Sequence, residues 1–114
     1  MRKFINTLAT AMLAMCLSVT AAFGADNFTV EQKYKIFVYN GAKVETLKVK
    51  VGDTVEFKNM DPYVHNVYSL SDARQFDLGS YPQGQSKSVT FDKAGKVEVE
   101  CAIHPGMQMV VEVK

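Results

Sequence analysis

The stretch FDKAGKVEVECAIHPGMQMVVEVK, Phe91–Lys114, decides the fold. Val97, Val99 and Cys101 alternate with Glu98 and Glu100, the period of a β-strand with one face turned inward. Ala94-Gly95 turns the chain into this strand. Pro105-Gly106 cannot extend it, so a short loop follows Cys101. Met109, Val111 and Val113 then line one face of a last strand. Cys101 therefore points inward at the end of a strand, and His104 and Met107 follow it at intervals of three.

The same period of two recurs upstream. Tyr34–Tyr39 is an extended run that enters Asn40-Gly41, a tight-turn pair. Leu47, Val49 and Val51 alternate with Lys48 and Lys50 until Gly52-Asp53 breaks the run. Val55 and Phe57 alternate with Glu56 and Lys58. His65, Val67 and Ser69 share a face, and Val89 and Phe91 alternate with Ser88 and Thr90. Many short alternating segments separated by turn residues predict an all-β sandwich or barrel. Ser69–Gln85 carries Gly79, Pro82 and Gly84 without a clear period. It reads as an irregular crossover with one helical turn near Ser71–Arg74.

At the N-terminus, Arg2 and Lys3 precede an apolar run from about Leu8 to Val19, with small residues near Ala22-Phe23-Gly24. This reads as a secretory signal peptide over residues 1–24, too short to span a bilayer, followed by a single domain over residues 25–114. A conventional cut after Gly24 speaks against lipidation at Cys16, although Leu13-Ala14-Met15-Cys16 resembles such a site. Without Arg2 and Lys3 the formal charge moves from +1 to about −1. No basic patch remains, which argues against nucleic acid as a partner. With Cys16 removed, Cys101 has no partner for an internal disulfide. A small exported domain without disulfides leans on a metal or a well-packed core.

A thiolate is a soft anionic ligand, imidazole is borderline and a thioether is soft and neutral. Cys101 and His104, three apart, fold onto one point in a tight loop. The chain has two histidines, and His65 arrives from a distant strand. A His₂Cys set with a Met as weak fourth ligand matches a mononuclear electron-transfer copper site.

The segments LKVKVGDTVEFKNMDPYVHNV (Leu47–Val67) and FDKAGKVEVECAIHPGM (Phe91–Met107) resemble the cupredoxins, the type 1 copper proteins that include plastocyanin, amicyanin and pseudoazurin. The resemblance covers essentially residues 25–114. It implies a Greek-key sandwich of about seven or eight strands with one copper ion at one end. It implies His65, Cys101, His104 and a Met as ligands. Amicyanin-like loops select Met107, three after the second His; plastocyanin-like loops select Met109. Met109 shares the parity of Val111 and Val113, so packing alone accounts for it. The resemblance also implies that Asn66 ties the two ligand loops together and that its backbone N–H meets the thiolate. Ile103 stands where amicyanin-like loops have Pro, and its N–H offers the sulfur a second donor.

The function implied is a one-electron carrier, not an enzyme, cycling Cu(I)/Cu(II) as a periplasmic monomer. Its partner would be a c-type cytochrome or redox enzyme, docked on an apolar patch around His104, Pro105, Gly106 and Pro62. A copper carrier or store is the alternative. A hydrolytic zinc site built from the same Cys and His residues is disfavoured, because no acidic general base follows either His. Tyr63 and Tyr81 either flank the site or cover the sandwich end. Met60 reads as an exposed or half-exposed loop residue, and Asp61, Asp72, Asp77 and Glu98 read as solvated surface.

Overall fold

The structure, a computed structural model, describes residues 24–114. The expected signal peptide and Cys16 lie outside them, Gly24 apart. Ten strands follow one another: β1 (Asn27–Lys33), β2 (Ile36–Tyr39), β3 (Ala42–Lys43), β4 (Thr46–Val49), β5 (Thr54–Asn59), β6 (His65–Ser71), β7 (Arg74–Tyr81), β8 (Ser86–Thr90), β9 (Gly95–Glu100) and β10 (Gln108–Val113). They form two five-stranded sheets, ordered β3-β2-β1-β5-β8 and β4-β10-β9-β6-β7. Each is mixed, since β1 runs parallel to β5 and β4 parallel to β10.

The alternating apolar residues meet between the sheets. Val30, Phe37, Phe57, Phe91, Val97, Val99 and Val111 are fully buried there, while Glu98, Lys48 and Lys96 face outward. Phe37 and Phe57 meet edge to face at 6.0 Å, a favoured aromatic geometry. Asn40-Gly41 forms the expected turn, both residues having positive φ.

The sandwich has ten strands where seven or eight were expected; besides the two-residue β3 after the Asn40-Gly41 turn, β1 and β7 are the two larger differences. β1 precedes the first run read from the sequence; Tyr34–Lys35 is the two-residue turn joining β1 to β2, with φ of 57° at both residues. The second difference corrects the reading of 69–85 as an irregular crossover with a helical turn. Ser71 ends β6, Asp72-Ala73 turns the chain, and Arg74–Tyr81 returns as β7, an edge strand.

A bulge explains why the period was hidden. Asn66 pairs with Ser80 and Tyr68 with Asp77, so β7 carries one residue more than β6 between these pairs. Gly79, at φ 70°, takes the left-handed conformation, and its N–H donates to Asp77 Oδ1 at 2.8 Å. Phe76 and Leu78 thus fall out of step with the buried Tyr81. The bulge lies beside Asn66, one residue from His65.

Candidate metal centre

Three local devices bring the predicted donors together. His65 opens β6, where it pairs with Tyr81 of β7 and its ring is fully buried. Cys101 follows β9 with the inward parity of Val97 and Val99. The loop then closes on itself: Met107 N–H donates to the His104 carbonyl at 3.1 Å, and Cys101 N–H to the Met107 carbonyl at 3.1 Å. This brings His104, half-buried, back over Cys101.

Cys101 Sγ lies 3.5 Å from His65 Nδ1 and 3.7 Å from His104 Nδ1. The three donor atoms all lie within 4.8 Å of one another. An ion at about 2.0 Å from nitrogen and 2.3 Å from sulfur, with bonds at 120°, would set each N···S separation near 3.7 Å. Both N···S separations match one shared metal ion, and the ligand chemistry suits it. Cys101 is buried and is the free cysteine of the described residues.

The loop before His65 is built around two buried polar side chains, Asn59 and Asp61. Asn59 is fully buried; its Nδ2 donates to the carbonyls of Tyr63 (2.8 Å) and Tyr81 (3.0 Å), and its Oδ1 accepts the N–H of Asp61 (2.9 Å). Asp61 is a correction: it is not solvated but 4% exposed. Its Oδ2 accepts from His65 Nε2 at 2.7 Å, and its carboxylate also accepts the N–H groups of Tyr34 (2.7 Å) and Lys35 (3.1 Å). Burial alone would raise its pKa, but these bonds to His65, Lys35 and Tyr34 outweigh it and hold the carboxyl below its ordinary value. An ionised carboxylate only accepts, so the His65 proton sits on Nε2 and the Nδ1 lone pair faces the sulfur. A signal for Asp61 existed in the sequence: Asp61-Pro62 is a turn-forming pair, and the Asp stands four residues before His65.

Tyr63 and Tyr81 both flank the cluster. The Tyr63 ring lies 5.4 Å from the His65 ring and 5.2 Å from that of His104, with the Lys35 ammonium 5.4 Å from its centre. Burial first, then the neighbouring His65 ring and the Lys35 ammonium, lower the His104 pKa against a smaller opposing effect of Asp61. Tyr81 is buried behind the site; its hydroxyl donates to Gln32 Oε1 (2.5 Å) and the Phe57 carbonyl (3.1 Å). Burial, then proximity to Cys101, pushes its pKa up.

The remaining predicted residues fall as follows. Asn66 Oδ1 accepts the Ala102 N–H at 2.7 Å, joining the His65 strand to the Cys101 loop. Met107 and Met109 are both buried, and Met109 pairs with Val99. Ile103 is 46% exposed at the rim, beside exposed Ala102, Pro105 and Gly106; Val64 and Pro62 are exposed on the facing loop. Met60 is half-exposed, as expected, and Asp72, Asp77 and Glu98 lie at the surface. A groove of about 330 Å³ on the outer face of the second sheet is lined by Glu45, Glu98, Glu100 and Gln108, among others. It includes neither the sulfur nor either imidazole, so the buried donor cluster, not this groove, is the chemical centre.

Fold and donors together define a small β-sandwich copper protein. Residues 26–114 match the model of the copper binding proteins of the plastocyanin/azurin family, and the chain belongs to that family. It is 31% identical over 102 residues to the methylamine utilization protein MauL of Methylorubrum extorquens, covering 85% of this chain and 90% of MauL. An amicyanin variant in its Cu(I) form superposes with a TM-score of 0.68 at 27% identity, over 82% of this chain and 88% of amicyanin. The copper-containing nitrite reductase NirK of Thermus scotoductus SA-01 superposes at 0.67 with 25% identity, over 77% of this chain but 22% of the enzyme. Copper is therefore the cofactor, and the sandwich is a cupredoxin fold.

Proposed function

We propose that this protein is an exported one-electron carrier whose copper is held by His65, Cys101 and His104, with Met107 as the weak axial ligand. The observation that carries the reading is the convergence of one sulfur and two imidazole nitrogens within 4.8 Å at one end of the sandwich. When bound there, copper supplies one-electron exchange between Cu(I) and Cu(II).

The chain's own residues limit rearrangement. His65 is fixed by Asp61, and its strand is tied to the Cys101 loop through Asn66 and Ala102. Cys101 and Met107 are clamped to each other through their backbones. A donor set held by the protein accepts either oxidation state with little movement, which is what rapid electron exchange needs. The β9–β10 register favours Met107 over Met109: extended by one pair beyond Glu100–Gln108, it sets Met107 opposite Cys101. Met109 sits one pair deeper, opposite Val99.

Electrons would pass through His104; Ile103 and Pro105 beside it in the loop, with Pro62 and Val64 on either side of Tyr63, offer exposed apolar surface, and Lys35 adds one positive charge nearby. Such a surface suits transient docking of a c-type cytochrome or redox enzyme to a monomer. We assign residues 1–24 as a signal peptide and 25–114 as the periplasmic domain. Among the described residues no helix is long and apolar enough to cross a membrane.

The test is to load the purified protein with Cu(II) and record visible and spin-resonance spectra, then cycle it with a reductant and oxidant. An intense thiolate-to-copper band with narrow copper hyperfine splitting, lost and regained over repeated cycles, is expected. Weak bands with tight Cu(I) binding would instead identify a copper-handling protein.

A further inference from the structure

We infer that Asp61 is a positioning residue whose buried charge biases the site toward the oxidised state, and that the Tyr34–Lys35 turn locks this charge in place. The inference rests on the reading of His65 as a copper ligand.

Every contact of Asp61 comes from a fixed group. Asn59 Oδ1 holds its backbone N–H, the turn at Tyr34 and Lys35 supplies two backbone donors, and His65 Nε2–H supplies the third. The turn is itself well defined, with left-handed φ at two non-glycine residues between the paired ends Lys33 and Ile36. The carboxylate cannot swing toward water without breaking these bonds together. It therefore fixes both the plane and the tautomer of His65, leaving Nδ1 aimed at the point shared with Cys101 Sγ.

The charge has its own effect. Negative charge held one imidazole away from the metal position favours the doubly charged ion over the singly charged one. Burial of both His65 and Asp61 leaves this attraction poorly screened by solvent. Lys35 opposes it from across Tyr63, but its side chain is exposed and its effect is diluted by water. A residue that merely capped the turn would act on stability and not on the preference between oxidation states.

The decisive measurement is the ratio of Cu(II) to Cu(I) affinity, by chelator competition, together with the reduction potential, in wild type and Asp61→Asn. The amide of this variant loses the charge and keeps one acceptor oxygen, enough for Lys35 and His65 but not for Tyr34 as well. The expected result is a fall of about tenfold in the ratio, a rise in potential of about 59 mV for one electron, with the visible band retained. An unchanged ratio would overturn the inference while leaving the electron-carrier reading intact. A wild-type protein without the intense band would overturn both. Nitrogen-15 NMR of the Cu(I)-loaded wild type supplies a readout free of mutation. The His65 proton should reside on Nε2 and exchange slowly with solvent; rapid exchange would also overturn the assignment.

Discussion

Met107 lies directly across the β9–β10 ladder from Cys101, the Cys101 N–H donating to the Met107 carbonyl at 3.1 Å. Side chains directly opposite on one face of such a pair have Cβ atoms about 5 Å apart, and diagonal neighbours about 7–8 Å. Met107 therefore has the nearer reach to the sulfur, and Met109 packs against the layer of Val99 below. Met107→Leu preserves volume and removes the thioether, so its visible spectrum should change and its potential rise, since a neutral donor to Cu(II) is lost. Met109→Leu should leave the spectrum as in wild type and alter stability by less than about 1.5 kcal/mol. A spectral change confined to Met109→Leu would reverse the assignment of the axial ligand.

The bond from Ala102 N–H to Asn66 Oδ1 spans 36 residues of sequence and links the two segments that carry the donors. Asn66→Ala should cost the apo protein about 1 kcal/mol in denaturant unfolding. It should also weaken copper binding by roughly 10–100-fold, because the Cys101 loop loses its anchor to the His65 strand. Asn66→Asp keeps an acceptor for Ala102 and should recover most of the affinity. Equal losses in both variants would show that the side-chain acceptor is not what holds the loop.

How far the sequence disclosed this site depends on which force leaves a local trace. The inward faces of β4, β5, β9 and β10 were legible because both sheets bury one face and wet the other, which writes a period of two into the chain. The convergence of Cys101 and His104 was legible because one loop carries both. β7 was hidden because the Gly79 bulge resets its parity and an edge strand only half-buries Phe76 and Leu78. β1 escaped because its inward face carries Gln32, a polar residue buried against the Tyr81 hydroxyl. Asp61 was misread because its burial depends on a turn 26–27 residues upstream and on an imidazole four residues downstream. The spacing to His65 was the one local sign of its role; the contacts with the distant turn left none in the sequence.

Away from the metal centre, Asp53 offers a pH-dependent test of the scaffold. It is buried, and its carboxylate accepts the N–H groups of Asp26 (2.9 Å) and Lys50 (2.7 Å), closing the turn before β5 onto the start of β1. The bonds to Asp26 and Lys50 lower its pKa below the ordinary 3.8, against a smaller opposing effect of burial. A carboxyl lowered on folding stabilises the native state above its unfolded pKa, and that contribution drains away as pH falls through the folded value. Asp53→Asn should therefore be less stable than wild type by about 2 kcal/mol near neutral pH, on the loss of charge-assisted hydrogen bonds. The gap should narrow steadily once pH drops below about 4. Urea unfolding of both proteins across this range measures it; a gap independent of pH would mean that the charge of Asp53 contributes nothing.

Ile103 permits a test of the sulfur's surroundings that leaves the core untouched. Its side chain is 46% exposed at the rim, so truncation should alter packing little. We propose that its backbone N–H turns toward Cys101 Sγ in the copper-bound loop and spreads the thiolate charge, favouring the reduced state. Ile103→Pro removes that N–H, and the potential should fall by on the order of 50 mV, close to a tenfold change in the preference between oxidation states. Proline also pushes the preceding residue toward extended geometry, and Ala102 carries the bond to Asn66. Ile103→Ala separates the two effects because it keeps the N–H and removes most of the side chain. Its potential should stay at the wild-type value. An unchanged or higher potential in Ile103→Pro, with copper still bound and the intense band present, would exclude the second donor.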